Sequence, residues 1–382
     1  MILISIFLII LSCLIIWRAS DGFEVASEYL GRNLSEGVRG ATINAIGSSL
    51  PELFTTLFFL FILKDRDGFA GGIGTTAGSA IFNGMIIPAV VILIVVLKGV
   101  SKSINVSRKV LLRDGIALLL CELILIFSIS GDSLNWTHGL FLMGLYIIYS
   151  SYMLLSMKGS SLEEFEDDED NEDDESGNRR NLFVNLITID LEPIFIKDSI
   201  KSNKAWLLLV ASTIVISSSC FLLVKSCEWL GESLGIPVYF IAVVLASAAT
   251  SVPDTILSMK DAKKGNFDDA VSNALGSNIF DVCFALGFPL FLFTIINGPI
   301  EMSPATIVNI SELRILLFLL TFIAFFIYIS KKSLGLLQAI MLLTIYIAFT
   351  VFIFGKSIDA EYALWISKGL QSIYQGVLTI IN

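Results

Sequence analysis

The sequence predicts an all-α polytopic membrane protein with about ten transmembrane helices in two inverted five-helix repeats. Three observations support this fold class. Apolar residues make up 55% of the 382-residue chain and charged residues only 16%, whereas an ordinary soluble domain has about 25% charged residues. The apolar residues fall in stretches of about 20, the length of a spanning helix. Similar polar motifs also recur in the two halves of the chain. This composition excludes a soluble enzyme of ordinary surface polarity.

Ten apolar stretches are predicted to span the membrane. The first resembles a signal-peptide core, but no basic segment precedes it and no clean cleavage site follows it, so we expect a retained helix. Its second half carries Asp21, Glu24 and Glu28, which we expect to face protein rather than lipid. The ten stretches are approximately 2–30, 36–63, 69–97, 110–130, 136–157, 204–230, 236–260, 268–296, 312–330 and 335–354.

The charges of the loops predict an N-terminus on the outer or lumenal side. In that orientation 12 basic residues lie in cytosolic loops and 6 on the opposite side, before the long middle segment is counted. Five helices on each side of this segment give the two halves opposite orientations in the membrane. The predicted domains are a first five-helix half (1–157), a cytosolic linker (158–203), a second five-helix half (204–354) and an amphipathic tail (355–382) that lies on the membrane interface or packs against the bundle.

The net charge of −10 comes from one part of the linker. Eleven of the 13 residues from Glu163 to Glu175 are acidic, and without them the net charge is +1. Such a run is typical of a disordered, solvated segment; a calcium-collecting or sensing segment and a spacer between the halves are the alternatives. The expected partners are ions and the lipid bilayer, since no basic nucleic-acid footprint is present. Five scattered cysteines and one histidine predict no disulfide framework, zinc site or resident cofactor.

A proline–carboxylate motif recurs in the second helix of each half. The first copy is GSSLPE at residues 47–52 and the second is ATSVPD at 249–254. Because proline has no N–H group, Pro51 and Pro253 each leave the carbonyl oxygen four residues earlier without its helical hydrogen bond. A carboxylate in a spanning helix costs about 2.5–3.5 kcal/mol on insertion scales and usually marks an ion pathway.

A second motif recurs in the third helix of each half, as GSAIFN at residues 78–83 and GSNIFD at 276–281. Carboxylate, hydroxyl, amide and carbonyl oxygens form a ligand set for hard cations such as calcium and sodium. One such motif alone is equally well explained by helix packing, but paired motifs in both halves favour a cation site. Asn44 is either a further ligand or a hydrogen-bonding group between helices. The candidate ligands are Glu52, Asp254, Asp281, Asn83, Ser48, Ser49, Ser79, Thr250, Ser251, Ser277 and Asn278.

These motifs resemble the alpha-repeats of the cation/calcium exchanger superfamily, and most closely those of its potassium-dependent sodium/calcium exchanger branch. The resemblance covers the motif regions 38–90 and 240–290. It implies that Glu52 and Asp254 are central calcium and sodium ligands and that Asp281 supports potassium co-transport. It further implies that hydroxyl or backbone oxygens surround this centre; they belong to Ser48, Ser49, Thr250 and Ser251. Ser79 and Ser277 would line flanking sodium sites, and Asn83 and Asp281 would lie between these sites.

The resemblance implies a secondary antiporter, not an enzyme, that exchanges calcium for sodium by alternating access. Glu52, Asp254 and Asp281 would be its three working intramembrane carboxylates. The first alternative is a proton/calcium or other divalent cation antiporter of the same fold. A remote alternative is an aspartyl intramembrane protease using Asp254 and Asp281, which leaves Glu52 and the first repeat unexplained. A membrane-anchored calcium buffer acting through the acidic run is the third alternative.

Overall fold

The computed structural model describes residues 1–32, 45–63, 66–99, 101–156, 185, 188–196 and 200–381. Asn44 and the acidic run therefore lie outside the described residues. Within these ranges, eight helical stretches are long and apolar enough to cross a membrane, which confirms an all-helical, multi-span protein. They are Ile2–Leu30, Phe69–Leu97, Trp136–Leu155, Ser202–Leu234, Val238–Lys264, Phe267–Asn297, Pro304–Ile329 and Leu336–Ser357.

The described residues of the first half form six helices and one short strand. Helix α5 is long enough to span a membrane, but Arg113, Asp114 and Glu122 lower its apolar character, so it is not among the eight most apolar stretches. The elements are α1 (Ile2–Leu30), α2 (Ala45–Ser48), α3 (Leu50–Leu63), α4 (Arg66–Leu97), α5 (Arg108–Ser128), β1 (Ser133–Leu134) and α6 (Trp136–Ser156).

The second half has the same order of long helices, preceded by the short helix α7 (Glu192–Phe195). Two π-helical turns, Ala242–Ala246 and Asp281–Ala285, interrupt its second and third spans; such turns often occur at functional sites. The remaining elements are α8 (Ser202–Leu234), α9 (Val238–Ile241), α10 (Ser247–Thr250), α11 (Val252–Lys264), α12 (Phe267–Phe280), α13 (Leu286–Asn297), β2 (Ile300–Glu301), α14 (Pro304–Ile329), α15 (Leu336–Ser357) and α16 (Glu361–Ile381).

Helix α14 begins earlier than the predicted stretch 312–330. Ser303 caps its N-terminus by accepting a hydrogen bond from the backbone N–H of Thr306 at 3.2 Å, and Pro304 occupies the first turn. The predicted start was wrong because Glu312 and Arg314 resemble charges at a membrane boundary, whereas both are only 2% exposed. The C-terminal tail forms α16, which packs against α14 and α15.

Helix α4 lies at the centre of the bundle, where it contacts α3, α11, α12, α14 and α15. Helices α1 and α8, the first spans of the two halves, pack along each other. The largest apolar cluster is built around α4, α12, α13 and α14, and a second cluster joins α1 to α8 and α3. The motifs on α3, α4, α11 and α12 therefore meet inside the bundle.

Two short backbone pairings join loops from opposite halves, and we call them the loop ties. In one, Ile104 and Leu334 exchange backbone hydrogen bonds of 2.9 and 2.8 Å. In the other, β1 pairs antiparallel with β2, with Leu134 opposite Ile300. Each tie joins the loop between the third and fourth spans of one half to the loop between the fourth and fifth spans of the other. This exchange is the pattern expected of two repeats related by a pseudo-twofold axis.

Candidate ion-binding site

Both proline motifs interrupt a helix inside the bundle. Helix α2 ends at Ser48 and α3 begins at Leu50, so that Ser49 lies in a turn. Helix α10 ends at Thr250 and α11 begins at Val252, and the intervening Ser251 has φ −80° and ψ 1°. The two breaks occur at the same position of the repeated motif, as the missing proline N–H predicts. They bring backbone and hydroxyl oxygens next to the carboxylates that follow.

The eleven candidate ligands are all buried, and they come from both halves of the chain. Ser48 is 7% exposed and each of the other ten has no exposed surface. Irregular backbone and buried polar side chains at membrane depth are tolerated where protein surrounds them or where they line a cavity. The structure thus brings the four motifs together into one polar centre inside an apolar bundle.

Ser79 lies between two carboxylates from opposite repeats. Its hydroxyl oxygen is 3.0 Å from Glu52 Oε1, 3.1 Å from Asp281 Oδ2 and 2.7 Å from Ser251 Oγ. A serine hydroxyl has one hydrogen to donate. Even if Ser251 donates to Ser79, only one of the two carboxylates can receive the Ser79 hydrogen. The Ser79 hydroxyl therefore cannot satisfy both carboxylates, and a cation or a proton bound at this place would compensate the other one.

Asp254 accepts hydrogen bonds from side chains of both repeats. Ser277 donates its hydroxyl hydrogen to Oδ1 at 2.7 Å, and Asn83 donates from its amide nitrogen to Oδ2 at 3.2 Å. The contact of Ser277 with Asp254 repeats that of Ser79 with Glu52, because these pairs occupy equivalent motif positions. The repeats differ at the equivalent positions Asn83 in the first and Asp281 in the second. The amide of Asn83 can donate a hydrogen bond to the carboxylate of the other repeat, whereas an ionised carboxylate at this position has no hydrogen to donate.

The remaining candidate ligands contact the edges of this centre. Ser48 Oγ lies 3.5 Å from Ser277 Oγ, and Thr250 donates to the backbone carbonyl of Ser247 at 3.1 Å. Asn278 donates from Nδ2 to the carbonyl oxygen of Ala80 at 2.8 Å. Ala80 and Asn278 are equivalent positions in the repeated motif, so their contact lies close to the pseudo-twofold axis.

Gly78 permits the close approach of α4 to the second repeat. A Cβ atom at this position would collide with the backbone carbonyl of Val243 and would lie 2.9 Å from Cβ of Ser247. Small residues allow membrane helices to approach at the level of their backbones. This approach puts the next residue, Ser79, within hydrogen-bond distance of Ser251.

Several oxygens at this centre accept no hydrogen bond from any described residue. They are Glu52 Oε2, Asn83 Oδ1, Asn278 Oδ1 and Asp281 Oδ1. In the described part of the chain, no group of three or more His, Cys, Asp or Glu side chains is arranged as a metal site by itself. A bound cation would therefore need amide, hydroxyl and backbone oxygens as well as carboxylates, which is the mixed oxygen set that calcium and sodium accept.

One polar pair near the centre, Asn273 and Ser258, was not among the predicted site residues. Asn273 donates to the hydroxyl of Ser258 at 3.3 Å, and both side chains are buried or nearly so. Asn273 lies one helical turn before Ser277, and Ser258 one turn after Asp254. Residues four apart lie on the same face of a helix, so this spacing from Ser277 and Asp254 is the sequence feature that could have identified them.

Acidic side chains of α1 lie at one end of a small cavity that reaches the centre. Ser48 and Pro253 line one part of this cavity, and Asp21 and Glu24 line another. The ammonium of Lys260 on α11 is 3.0 Å from carboxylate oxygens of both Asp21 and Glu24. The expectation that these two acidic residues face protein is confirmed.

Three further carboxylates outside the repeated motifs are buried in the bundle. Asp114, Glu122 and Glu312 are also buried, with exposures of 0%, 0% and 2%. Asp114 forms an ion pair with Arg113 at 2.6 Å, and Glu312 pairs with Lys356. These acids lie outside the repeated motifs, so the comparison of the two halves could not point to them. The sequence feature that could have identified them is an acidic residue inside an apolar stretch.

Known proteins resemble this chain over both halves. The sodium/calcium exchanger protein family matches residues 4–155 and 204–355. Human sodium/potassium/calcium exchanger 5 is 28% identical over 352 residues, which cover 73% of this chain and 68% of that protein. An uncharacterised membrane protein of Methanocaldococcus jannaschii is 26% identical, covering 81% of this chain and 89% of its own length. The match to chicken sodium/potassium/calcium exchanger 1 is 39% identical but covers only 24% of this chain and 14% of that protein.

Solved structures share the fold. The sodium-calcium exchanger NCX_Mj superimposes with a TM-score of 0.56 at 22% identity, covering 91% of this chain and 98% of that one. The H⁺/Ca²⁺ exchanger CAX gives a TM-score of 0.62 at 16% identity, covering 97% and 92%. These identities establish the fold alone, whereas the family match extends over most of both halves of the sequence. With its two interrupted helices and its buried oxygen-rich centre, the chain belongs to the sodium/calcium exchanger family, a family of cation antiporters and not of enzymes.

Proposed function

We propose that this protein exchanges calcium for sodium at the buried centre between its repeats, with potassium as a co-transported ion. Glu52 and Asp254 are the shared carboxylate ligands, and Asp281 supplies the potassium dependence. The hydroxyl and amide groups complete the ligand set: Ser48, Ser49, Ser79, Asn83, Thr250, Ser251, Ser277 and Asn278. Residues 158–203 form the cytosolic linker between the halves 1–157 and 204–354, with the N-terminus outside or in a lumen.

The observation that carries the proposal is the shared hydroxyl of Ser79. Two carboxylates, Glu52 and Asp281, lie 3.0 and 3.1 Å from an oxygen with one hydrogen. No lysine or arginine of the described residues forms an ion pair with either carboxylate. A cation between these oxygens neutralises their repulsion and occupies acceptor positions that are otherwise unused.

Competition for one centre explains exchange. Calcium and sodium both bind oxygen ligands, and a bound calcium needs the same carboxylates that bound sodium would use. Without a cation, up to three negative charges at Glu52, Asp254 and Asp281 remain in a medium of low polarity, which makes movement of the empty site unfavourable. The protein therefore changes its exposed side mainly when one cargo or the other is bound, and this couples the two fluxes.

The sodium-coupled function is preferred over a proton/calcium antiporter because of sequence similarity. The relatives with detectable identity include sodium/potassium/calcium exchangers. The likeness to the H⁺/Ca²⁺ exchanger has the larger TM-score but rests on 16% identity and therefore concerns the fold. Protons remain the second candidate for the driving ion, and the same flux experiment distinguishes the two.

The test is radiolabelled calcium uptake into liposomes that contain the purified protein. Vesicles loaded with sodium and diluted into sodium-free buffer should accumulate calcium, and removal of potassium should slow the uptake. A pH gradient without sodium should not replace the sodium gradient. Absence of uptake under an outward sodium gradient would contradict the proposal. Uptake driven by a pH gradient alone would establish the proton/calcium alternative, and uptake indifferent to potassium would remove potassium from the scheme.

A further inference from the structure

Glu122 is a fully buried glutamate that the central site does not use. It lies in the middle of α5 and has no exposed surface. The hydroxyl of Thr321 on α14 donates to its Oε1 at 2.8 Å. Its second oxygen, Oε2, accepts no hydrogen bond from the described residues. A carboxyl group is thus held between two spanning helices by one donor.

Within the described part of the chain, no cationic group forms an ion pair with Glu122. The thiol of Cys121 precedes it on α5, and Cys283 in the π-helical turn after α12 lies beside that thiol. Helix α14 faces it with Thr321. Arg314, on the same helix, instead donates to the carbonyl oxygen of Ile126 at 2.9 Å.

Two tyrosines of α6 lie near these thiols. Tyr146 lies near Cys283 and Asp281, and Tyr149 near Cys121 and Asp114. Both phenol groups are buried, and neither forms a hydrogen bond with the described residues. Among the described residues, the groups nearest Glu122 are therefore the hydroxyl of Thr321 and the thiols of Cys121 and Cys283.

The other buried acids outside the centre are compensated in a different way. Asp114 forms an ion pair with Arg113 at 2.6 Å, and Glu312 forms one with Lys356. A buried carboxylate without a cation costs several kcal/mol, and proteins usually avoid this cost by neutralising the group. For Glu122 the least demanding neutralising species is a proton, which needs no further ligands.

A small cavity lies near this carboxyl group, between α4, α5 and α14. Its lining includes Gly115 and Leu118 of α5, Thr321 of α14, and Ala80 and Gly84 of α4. Thr321 is also the residue that donates to Glu122. The carbonyl of Ala80 accepts the hydrogen bond of Asn278, a candidate ligand. Residues that contact Glu122 and Asn278 therefore line the same cavity.

We propose that Glu122 and Thr321 form a proton-binding site, separate from the cation centre, at which the carboxyl group takes up and releases a proton. Thr321 continues to donate to Oε1, so the proton resides on Oε2. Uptake converts the carboxylate to a neutral carboxylic acid, and release restores the charge. The chemistry requires only a proton, and it stands whether or not the centre exchanges calcium for sodium.

The direct test is carbodiimide labelling, which modifies protonated carboxyl groups in apolar surroundings. The purified wild-type protein is treated over a series of pH values with calcium saturating, and the modified glutamates are located by mass spectrometry. We expect labelling of Glu122 whose rate falls about tenfold for each pH unit above the midpoint of its titration. Glu312 is the matched control: it is also buried but forms an ion pair with Lys356, and we expect no labelling there.

Two variants make the test specific. Glu122→Gln removes the labelled group. Thr321→Val removes a hydrogen bond to the ionised form, which should extend labelling to higher pH, whereas Thr321→Ser keeps the donor and should behave as the wild type. Labelling of Glu122 that does not change with pH, or that equals labelling of Glu312, would overturn the proposal.

An infrared measurement covers the case in which the reagent does not reach the site. The wild-type protein should show a carboxylic acid C=O band that disappears in alkaline buffer and is missing from Glu122→Gln. Absence of such a band in the wild type would overturn the proposal. Neither measurement depends on transport, so a failure of sodium/calcium exchange and a failure of the proton site give different results.

Discussion

Glu312 and Glu52 are both buried glutamates of spanning helices, but their surroundings differ. Glu312 Oε1 accepts hydrogen bonds from Ser367 at 2.6 Å and from Gln371 at 2.8 Å, and its other oxygen contacts the ammonium of Lys356. These four residues, the Glu312 cluster, connect α14, α15 and α16. Each oxygen of the carboxylate has a donor, and the charge has a counter-charge.

Glu52 has far fewer partners. Its Oε1 shares the Ser79 hydroxyl with Asp281, and its Oε2 accepts no hydrogen bond from the described chain. Two buried acids thus belong to two kinds of site. A carboxylate whose charge and oxygens are satisfied by the protein holds helices together, whereas one that the protein leaves unsatisfied is available to a ligand. The following substitutions test this distinction, from the largest expected effect to the smallest.

Glu52→Gln should abolish calcium exchange. The substitution keeps the shape of the side chain but removes one of the negative charges at the centre, and the number of charged ligands is a main determinant of calcium affinity. We expect calcium affinity to fall by about a hundredfold or more, measured by calorimetric titration of the purified protein, and uptake into liposomes to fall to background. Glu312→Gln should leave calcium affinity unchanged. Equal losses of affinity in the two variants would contradict the distinction.

Lys356→Met should destabilise the bundle without changing the centre. It leaves the Glu312 carboxylate buried and unpaired, for which we expect a loss of about 3–5 kcal/mol in the free energy of unfolding. Thermal unfolding and proteolysis of α16 measure the effect. The double variant Lys356→Met/Glu312→Gln removes both charges and should recover most of the stability. A single variant as stable as the wild type would show that the Glu312 cluster does not hold α16.

Asp281→Asn should remove the potassium dependence while leaving sodium-driven calcium uptake. The asparagine makes the second repeat resemble the first at the position of Asn83, and it ends the competition of two carboxylates for the Ser79 hydroxyl. Uptake with and without potassium measures the effect. Potassium stimulation that is unchanged in this variant would separate Asp281 from potassium use.

Asn278→Ala should have the smallest effect. Its amide hydrogen bond to the carbonyl of Ala80 joins α12 to α4, and loss of one such bond costs about 1 kcal/mol. We expect a small decrease in thermal stability, measured by the same unfolding assay. A large decrease in calcium affinity with unchanged stability would instead assign its unpartnered Oδ1 to the ligand set, alongside Glu52.

The repeated motifs made the centre predictable from the sequence. Pro51 and Pro253 indicate where helices break, and the equivalent positions of Ser79 and Ser277 indicate which hydroxyls approach the carboxylates. Two copies of one pattern provide a comparison within a single chain. They do not reveal that Ser79 contacts Glu52 and Asp281 at once, because that contact depends on how closely α4 approaches the second repeat at Gly78.

The Glu312 cluster could not be predicted in the same way. Its members are Glu312, Lys356, Ser367 and Gln371, which lie on three helices, and nothing in their spacing links them. An isolated glutamate in an apolar stretch resembles a membrane boundary, which is why the start of α14 was misplaced. Pairing between distant polar residues is decided by helix packing, and a single sequence does not contain that information.

The loop ties have a consequence for the synthesis of the chain. Ile104 and Leu134 are synthesised before their backbone partners, which are Leu334 and Ile300 respectively. The first half therefore leaves the ribosome with the hydrogen-bonding groups of two loops unpaired and with half of a polar centre in the membrane. It reaches its final form only after the second half is inserted. Until then, these backbone groups need water as their hydrogen-bond partner.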